Sequence, residues 1–259
     1  MCTAVLSFDP DSPVPVLLAG VRDEYTDRAW LPPGRHWPDR PGLIGGLDLL
    51  AGGTWLAADP AERRVGCVLN GCGDAAPAEG RLSRGDLPLR AAATGGIGTL
   101  DLAHVDPFHL ICAEPYNVKV WSWDGVNLTG TQVEPGLHLV VNSGLDGTGS
   151  GRSASIPRSG LAGMAARMGY FRPLFDQAVR PEPKLAGSTA EAWGEWLPIL
   201  DGAGIPADDP RALLIRHDLP DRVFASTSVS LLALSAGGVR YDFTAAPGDP
   251  AAWSSVNQG

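Results

Sequence analysis

No stretch of the sequence approaches the roughly 18–20 apolar residues that a membrane-spanning helix requires. The first residues also lack the basic segment followed by an apolar segment that is typical of a secretory signal. From these two absences we expect a cytoplasmic protein without a transmembrane segment. Cysteine is scarce, at four residues, and without a secretory signal we expect free thiols rather than disulfides.

Clusters of basic residues and internal repeats are also absent. The formal net charge is -9 and the isoelectric point is near 4.9, which argues against nucleic acid or an anionic membrane surface as the main partner. With 259 residues and 44% hydrophobic content, the chain can bury a large core in one large domain or two smaller ones. The composition gives no indication of the oligomeric state.

Several chemical signatures are missing as well. The spacing of His104, His109 and Cys112 is not a zinc signature, and no Cys-x-x-Cys pair is present. Cys67 and Cys72 are too far apart for a zinc knuckle. Neither a Gly-x-Ser-x-Gly elbow nor a Gly-x-Gly-x-x-Gly fingerprint occurs between a strand and a helix. We therefore predict no metal site.

The order of predicted elements indicates the fold class. Apolar alternation and turn-forming residues predict strands at 3–8, 14–19, 54–57, 64–70, 108–114, 118–123, 126–131, 137–142, 226–233 and 239–244. Capping signals predict helices at about 83–93, 161–178 and 189–200. The four strands between 108 and 142 are predicted to be consecutive antiparallel strands. This order differs from the alternating βαβα of a parallel sheet and favours an α+β protein.

Cys2 is the first candidate for chemistry. Residue 2 is small, so we expect removal of Met1, which leaves Cys2 with both a thiol and a free α-amine. The reference pKa values are about 7.7–8.0 for the amine and 8.5 for the thiol, so the amine can accept the thiol proton. Arg22 on the next strand is expected to favour the thiolate. In the alternative interpretation Cys2 is a small apolar residue at the start of a buried strand.

The segment from Cys2 to Arg28 resembles the NRDE family, also called the transport and Golgi organisation protein 2 family. Members begin Met-Cys and carry a second strand that ends in Asn-Arg-Asp-Glu and an aromatic residue. Here the motif reads Val21-Arg22-Asp23-Glu24-Tyr25, with Val21 where Asn is usual. Further similar segments lie at residues 46–48, 52–56, 69–70, 83–87, 108–110 and 141–143.

The family in turn resembles N-terminal-nucleophile hydrolases of the choloylglycine and penicillin V acylase type. This resemblance implies a single domain over residues 1–259, built as a four-layer αββα sandwich of two mainly antiparallel sheets. It also implies that Cys2 is the nucleophile, that Asp23 holds its amine and that Arg22 tunes the site. An arginine is expected near residues 226–228, where the sequence offers only small hydroxyl side chains.

Two asparagines lie at strand ends. Asn70 is followed by glycines that permit close backbone approach, and the resemblance assigns its amide, with a neighbouring N–H, to stabilisation of an oxyanion. A plain turn asparagine is the alternative interpretation. Asn142 is the corresponding candidate for orienting substrate. Trp37, in a Pro-containing loop at 32–41 that reads as a lid or a surface connection, and Trp55 are predicted to line the substrate pocket.

Two functions of different classes follow. The first is a cysteine N-terminal-nucleophile amidohydrolase or acyltransferase acting on a small amide or acyl substrate without a cofactor. The second is a non-catalytic protein that binds or carries haem or an acyl lipid, since the family has been connected with both. Under the second, the candidate haem ligands are the cysteine thiolates and the histidines His36, His104, His109, His138 and His217.

Overall fold

The computed structural model describes residues 2–149 and 158–256. In chain order its strands are β1 (Thr3–Phe8), β2 (Val16–Tyr25), β3 (Trp30–Gly34), β4 (Ile44–Asp48), β5 (Leu56–Asp59), β6 (Arg64–Asn70), β7 (Phe108–Glu114), β8 (Asn117–Trp123), β9 (Leu128–Gln132), β10 (Gly136–Val141), β11 (Gly144–Leu145), β12 (Arg216–Asp218), β13 (Val223–Ser235), β14 (Gly238–Thr244) and β15 (Ser254–Ser255). The helices are α1 (Leu87–Thr94), α2 (Arg158–Gln177), α3 (Thr189–Trp193) and α4 (Trp196–Leu200). Short 3₁₀ turns lie at Arg84–Asp86, Leu102–His104 and Pro250–Ala252.

The strands form two sheets. The first has the order β11-β10-β1-β2-β13-β14-β15, with β12 beside β13, and the second runs from β3 to β9 in sequence order. The strand pairs in both sheets are antiparallel. The predicted α+β class with two mainly antiparallel sheets is confirmed.

Strand β1 shows why the sheets stack. All six of its residues are buried, and because side chains alternate between the two faces of a strand, each face meets a different core. Ala4, Leu6 and Phe8 point between the two sheets, and Val5 points toward the helices. Burial of a side chain such as Leu6 contributes about 1.5–3 kcal/mol. Alternation along β1 therefore gives each of the two cores its own set of side chains.

Helices cover both outer faces. Phe171 on α2 and Trp193 and Trp196 on α3 and α4 pack on the outer face of the first sheet. Helix α1 packs on the outer face of the second sheet. A Cβ at Gly66 on β6 would overlap the carbonyl of Pro88 on α1, so glycine is needed for this close approach. The layers are thus helix, sheet, sheet, helix, as the αββα prediction states.

Two of the sequence predictions are wrong, one on the pairing of a strand and one on the length of a helix. Strand β10 does not continue the second sheet after β9 but pairs with β1 in the first, because its buried residues Leu139 and Val140 join the cores on both faces of that sheet. The helix predicted at 189–200 is two helices, since Gly194 has a φ of 47° and ends α3 by donating its N–H to Ala190 O. The capping box of Ser188 with Glu191 is present.

Other elements differ in extent. Strand β2 starts two residues later than predicted and continues through the Arg22-Asp23-Glu24 motif to Tyr25. Strand β3 includes the first residues of the segment that was predicted to be a loop at 32–41. The four cysteines are free thiols, as expected. Among the residues described, none of the helices combines the length and apolar character that crossing a bilayer requires.

Candidate active site

A cleft of about 370 Å³ opens where ends of strands from the two sheets meet. The first sheet contributes the beginning of β1 and the end of β2, and the second contributes the ends of β4 and β6. Cys2, Arg22, Asp23, Trp55 and Asn70 all line this cleft. The structure therefore brings these five predicted site residues together.

Cys2 is half-buried at the rim of the inner core. Its Sγ donates a weak hydrogen bond to the carbonyl oxygen of Asp23, at 3.7 Å. Burial raises the pKa of the Cys2 thiol, the charge of Asp23 raises it further, and the charge of Arg22 opposes this less strongly. The lowering expected from Arg22 is present but outweighed. Since a neutral thiol is a poor nucleophile, reaction at Cys2 requires a base.

The Arg22 guanidinium is buried and held on several sides. Its Nη1 donates to Thr227 Oγ1 at 2.9 Å, and its central carbon lies 4.4 Å from the ring centroid of Trp55. The carboxylates of Asp48 and Glu24 lie 3.6 and 3.9 Å from its Nη2. Burial lowers the pKa of Arg22, and these carboxylates oppose the shift. Trp55 thus supports Arg22 as well as lining the cleft.

The Asp23 carboxylate is buried between a hydroxyl and a guanidinium. Ser226 Oγ donates to its Oδ1 at 2.6 Å, and Arg167 Nη1 lies 3.7 Å from its Oδ2. Arg167 is also buried, and it donates to Thr3 Oγ1 and to Ala212 O, both at 2.7 Å. Helix α2 therefore supplies a buried arginine beside the Arg-Asp motif.

The sequence analysis looked for an arginine near residues 226–228 and missed Arg167. The hydroxyls of Ser226 and Thr227 instead bind Asp23 and Arg22 directly. The sequence does contain a signal for Arg167. On α2 it lies on the same helix face as the buried Met164 and Phe171, so it is a single charged residue within an apolar face.

Asn70 ends β6, and its exposed side chain faces the cleft. Within the described ranges the side-chain amide has no hydrogen-bond partner, so both of its polar atoms are available to a ligand. The following Gly71 N–H donates to Pro107 O at 2.8 Å. The Gly71 N–H is therefore engaged and does not serve as the neighbouring donor that the sequence suggested.

Asn142 does not line the cleft but supports it. Its buried side chain donates from Nδ2 to the carbonyl oxygen of Asn70 at 2.8 Å. Its Oδ1 is buried without a hydrogen-bond partner in the part of the chain that is described. Its own carbonyl oxygen accepts from Cys72 Sγ at 3.0 Å. The structure places Asn142 where it can position Asn70 rather than touch a ligand in this cleft.

Trp37 lies away from the cleft. It is buried with Leu43, Ala57 and Leu89 on the face of the second sheet that α1 covers. Its Nε1 donates to Gly52 O at 3.0 Å. The loop at 32–41 therefore packs an indole under a helix, and the proposed substrate contact of Trp37 does not agree with its position.

Six charged side chains that line the cleft were not predicted as site residues: Glu24, Arg28, Asp48, Arg81, Arg84 and Asp106. Arg28 binds Asp48 at 2.6 Å. Although burial opposes ionisation of Asp48, hydrogen bonds from Arg28 and from the Ala51 N–H hold the pKa of its carboxyl below the usual value. Across residues 2–149 and 158–256, no group of three or more His, Cys, Asp or Glu side chains is arranged to hold a metal ion.

The fold and the cleft define an α+β sandwich protein with a cysteine directly before its first strand and an Arg-Asp-Glu-Tyr segment at the end of its second. The chain belongs to the Transport and Golgi organisation 2 family, whose model matches residues 1–153. The match includes Cys2, Arg22, Asp23 and Asn70 and ends before α2, so Arg167 lies outside it. A comparison with curated proteins finds no match.

Proposed function

We propose that this protein is a cysteine N-terminal-nucleophile amidohydrolase or acyltransferase that acts on a small amide or acyl substrate. The observation that carries the proposal is the cleft in which the Cys2 thiol and the uncommitted Asn70 amide face the same space. A cytoplasmic location belongs to the same proposal, as does the absence of a nucleic-acid partner, which the net charge of -9 supports.

The reaction begins with removal of Met1. The α-amine of Cys2 then takes the proton from Sγ, and the thiolate attacks the carbonyl carbon of the amide. The Asn70 amide donates to the developing oxyanion. The C–N bond breaks, the leaving amine takes the proton from the ammonium, and a thioester remains on Cys2. Attack by water regenerates the thiol and releases an acid, and attack by an acceptor amine gives acyl transfer.

The neighbouring residues have supporting roles in this scheme. The Asp23 carboxylate, fixed by Ser226 and Arg167, holds the Cys2 ammonium. The charge of Arg22 favours the thiolate over the thiol. Asn142 positions Asn70 through its carbonyl oxygen. Because burial raises the pKa of the Cys2 thiol, the amine is the component on which reaction at neutral pH depends.

We expect protein from the native host to begin at Cys2. Intact mass measures this directly, and a mass that retains Met1 removes the mechanism. The matched comparison uses two proteins released from a cleavable fusion, one beginning at Cys2 and the other at Met1. Only the protein that begins at Cys2 is expected to turn over amide substrates, because only in that protein does Cys2 carry a free α-amine that can act as the base. Equal turnover by both would contradict the role of the amine.

The alternative function is non-catalytic binding of haem or an acyl lipid. It is favoured by the packing of Cys2 against the inner core, because burial raises the pKa of its thiol and a packed thiol reacts slowly. No histidine of the described chain lines the cleft, so a haem bound there would have Cys2 as its axial candidate. We expect a haem titration to give weak binding without a stoichiometric Soret shift. A tight one-to-one complex that Cys2→Ala abolishes would make this alternative the better account.

A further inference from the structure

Arg84 is a half-buried cation of the cleft without an ion-pair partner among the described residues, although the more distant charge of Asp106 acts on it. Its Nη1 donates to Pro107 O at 2.9 Å, which is its one hydrogen bond to the described residues. It forms no ion pair with any residue in the described ranges. An arginine carries five N–H donors, so most of the guanidinium is available to a ligand in the cleft.

The other charges of the cleft are already matched. The four carboxylates that line it each have a guanidinium nearby: Asp23 has Arg167 at 3.7 Å, Glu24 has Arg28 at 3.8 Å, Asp48 has Arg28 at 2.6 Å and Asp106 has Arg81 at 3.6 Å. Arg22 lies near two of these carboxylates. Among the described residues, Arg84 is therefore the one arginine lining this cleft that forms no ion pair.

The loop that carries Arg84 is fixed to the sheet. Gly85 O accepts from Thr54 N at 2.9 Å, and a Cβ at Gly53 would lie 2.5 Å from the Gly85 carbonyl carbon, so this approach requires glycine. On the other side, Pro107 O accepts both from Arg84 and from Gly71 N, next to Asn70. Arg84 is thus held in a set position relative to Asn70.

A single carboxylate fits this position better than a phosphate. The planar fork of arginine matches the two oxygens of a carboxylate, and a charge-assisted pair of this kind is among the stronger hydrogen bonds. A phosphate dianion would bring a second negative charge toward Glu24, Asp48 and Asp106, which also line the cleft. Burial lowers the pKa of Arg84, and a bound anion would offset that cost.

We propose that Arg84 binds a carboxylate of the substrate, so that the cleft takes carboxylate-bearing amides. This inference rests on the proposed function of Cys2 as the nucleophile of the same cleft. The carboxylate lies either on the acyl part or on the amine part of the substrate, and matched probes distinguish these two cases.

The first test is alkylation of Cys2 by iodoacetate and by iodoacetamide, which differ mainly in the charge of one group. Arg84→Gln is expected to slow the reaction with iodoacetate about tenfold and to leave the reaction with iodoacetamide nearly unchanged. Arg84→Lys, which keeps the charge but not the fork, should fall between. The control is Arg216→Gln, an exposed arginine of β12, which should behave as the unaltered protein.

The second test is independent of reaction at Cys2. Glutarate is titrated into the Cys2→Ala protein, and Arg84→Gln in that background is expected to weaken binding about tenfold. If Arg84→Gln changes neither the iodoacetate to iodoacetamide ratio nor glutarate binding, the proposal is overturned. If Cys2 does not react at all, glutarate binding alone decides, and its dependence on Arg84 supports the proposal.

Turnover separates this inference from the proposed function. Glutaryl anilide is compared with butyryl anilide for a carboxylate on the acyl part, and N-butyrylglycine with N-butyrylethylamine for one on the amine part. Faster turnover of one charged member, lost in Arg84→Gln, supports both proposals and identifies the part that carries the charge. If glutarate binding depends on Arg84 but none of the probes is turned over, the result contradicts the proposed enzymatic function and still supports a carboxylate site at Arg84.

Discussion

Replacement of Cys2 by alanine is expected to lower turnover of amide substrates by about a thousandfold or more, because it removes the atom that forms the thioester. Cys2→Ser should keep a trace of activity, since the α-amine can deprotonate a hydroxyl but far less readily than a thiol. Each change removes or replaces one atom at a strand end, so each should cost about 1 kcal/mol of stability or less. Steady-state kinetics and chemical denaturation measure the two effects.

The same prediction has a test that needs no substrate. Burial raises the pKa of all four thiols, for Cys112 to about 12, but only Cys2 carries an α-amine that can take its proton, and the other three are buried away from reagents. In protein that begins at Cys2, labelling at Cys2 should start at a lower pH than labelling at Cys67, Cys72 or Cys112. Peptide mass mapping across a pH series follows each site. Four indistinguishable profiles would indicate that Cys2 only fills the core.

Local signals predicted the strands near the site well. The bounds of β1 and β6 agree with the sequence prediction because each is a short apolar run between turn formers. The αββα order itself came from the family resemblance, since strands and helices in this sequence give only an α+β class. The switch of β10 into the first sheet depends on which partner strand buries Leu139 and Val140, and no local pattern carries that choice.

The candidate site was predictable where chemistry depends on neighbours in the chain. Cys2 was singled out by its position directly after Met1, Arg22 by its place on the strand that follows, and Asp23 by the family resemblance. Arg167 was not found, because its contact with Asp23 spans 144 residues, the difference between their positions. Trp37 was predicted to lie in the substrate pocket for a related reason. The sequence of its loop shows which residues are its neighbours along the chain, but not which face of the second sheet Trp37 packs on.

The largest expected loss of stability comes from a buried ion pair remote from the cleft. Arg240 and Asp242 on β14 are fully buried, with Arg240 Nε 2.6 Å from Asp242 Oδ2. Thr189 Oγ1 and Trp193 Nε1 also donate to the Asp242 carboxylate, at 2.9 and 2.8 Å. The guanidinium binds the carbonyl oxygens of residues 184, 186 and 187, so this pair ties α3 and the chain before it to the first sheet.

Asp242→Ala is therefore expected to cost about 3–5 kcal/mol in the free energy of unfolding, because it leaves the Arg240 charge buried without its partner. The matched control is Asp218→Ala, which breaks the exposed pair with Arg216 at 2.9 Å and should cost about 1 kcal/mol or less.

The double variant Arg240→Met with Asp242→Leu should recover part of the loss, since no charge stays buried, although Thr189 and Trp193 still lose their acceptor. Labelling of Cys2 in the folded double variant should match that of the unaltered protein, because the cleft is not lined by either residue. A loss below about 1 kcal/mol for Asp242→Ala would mean that water or a neighbouring group compensates Arg240, and that the pair contributes no more than an exposed one.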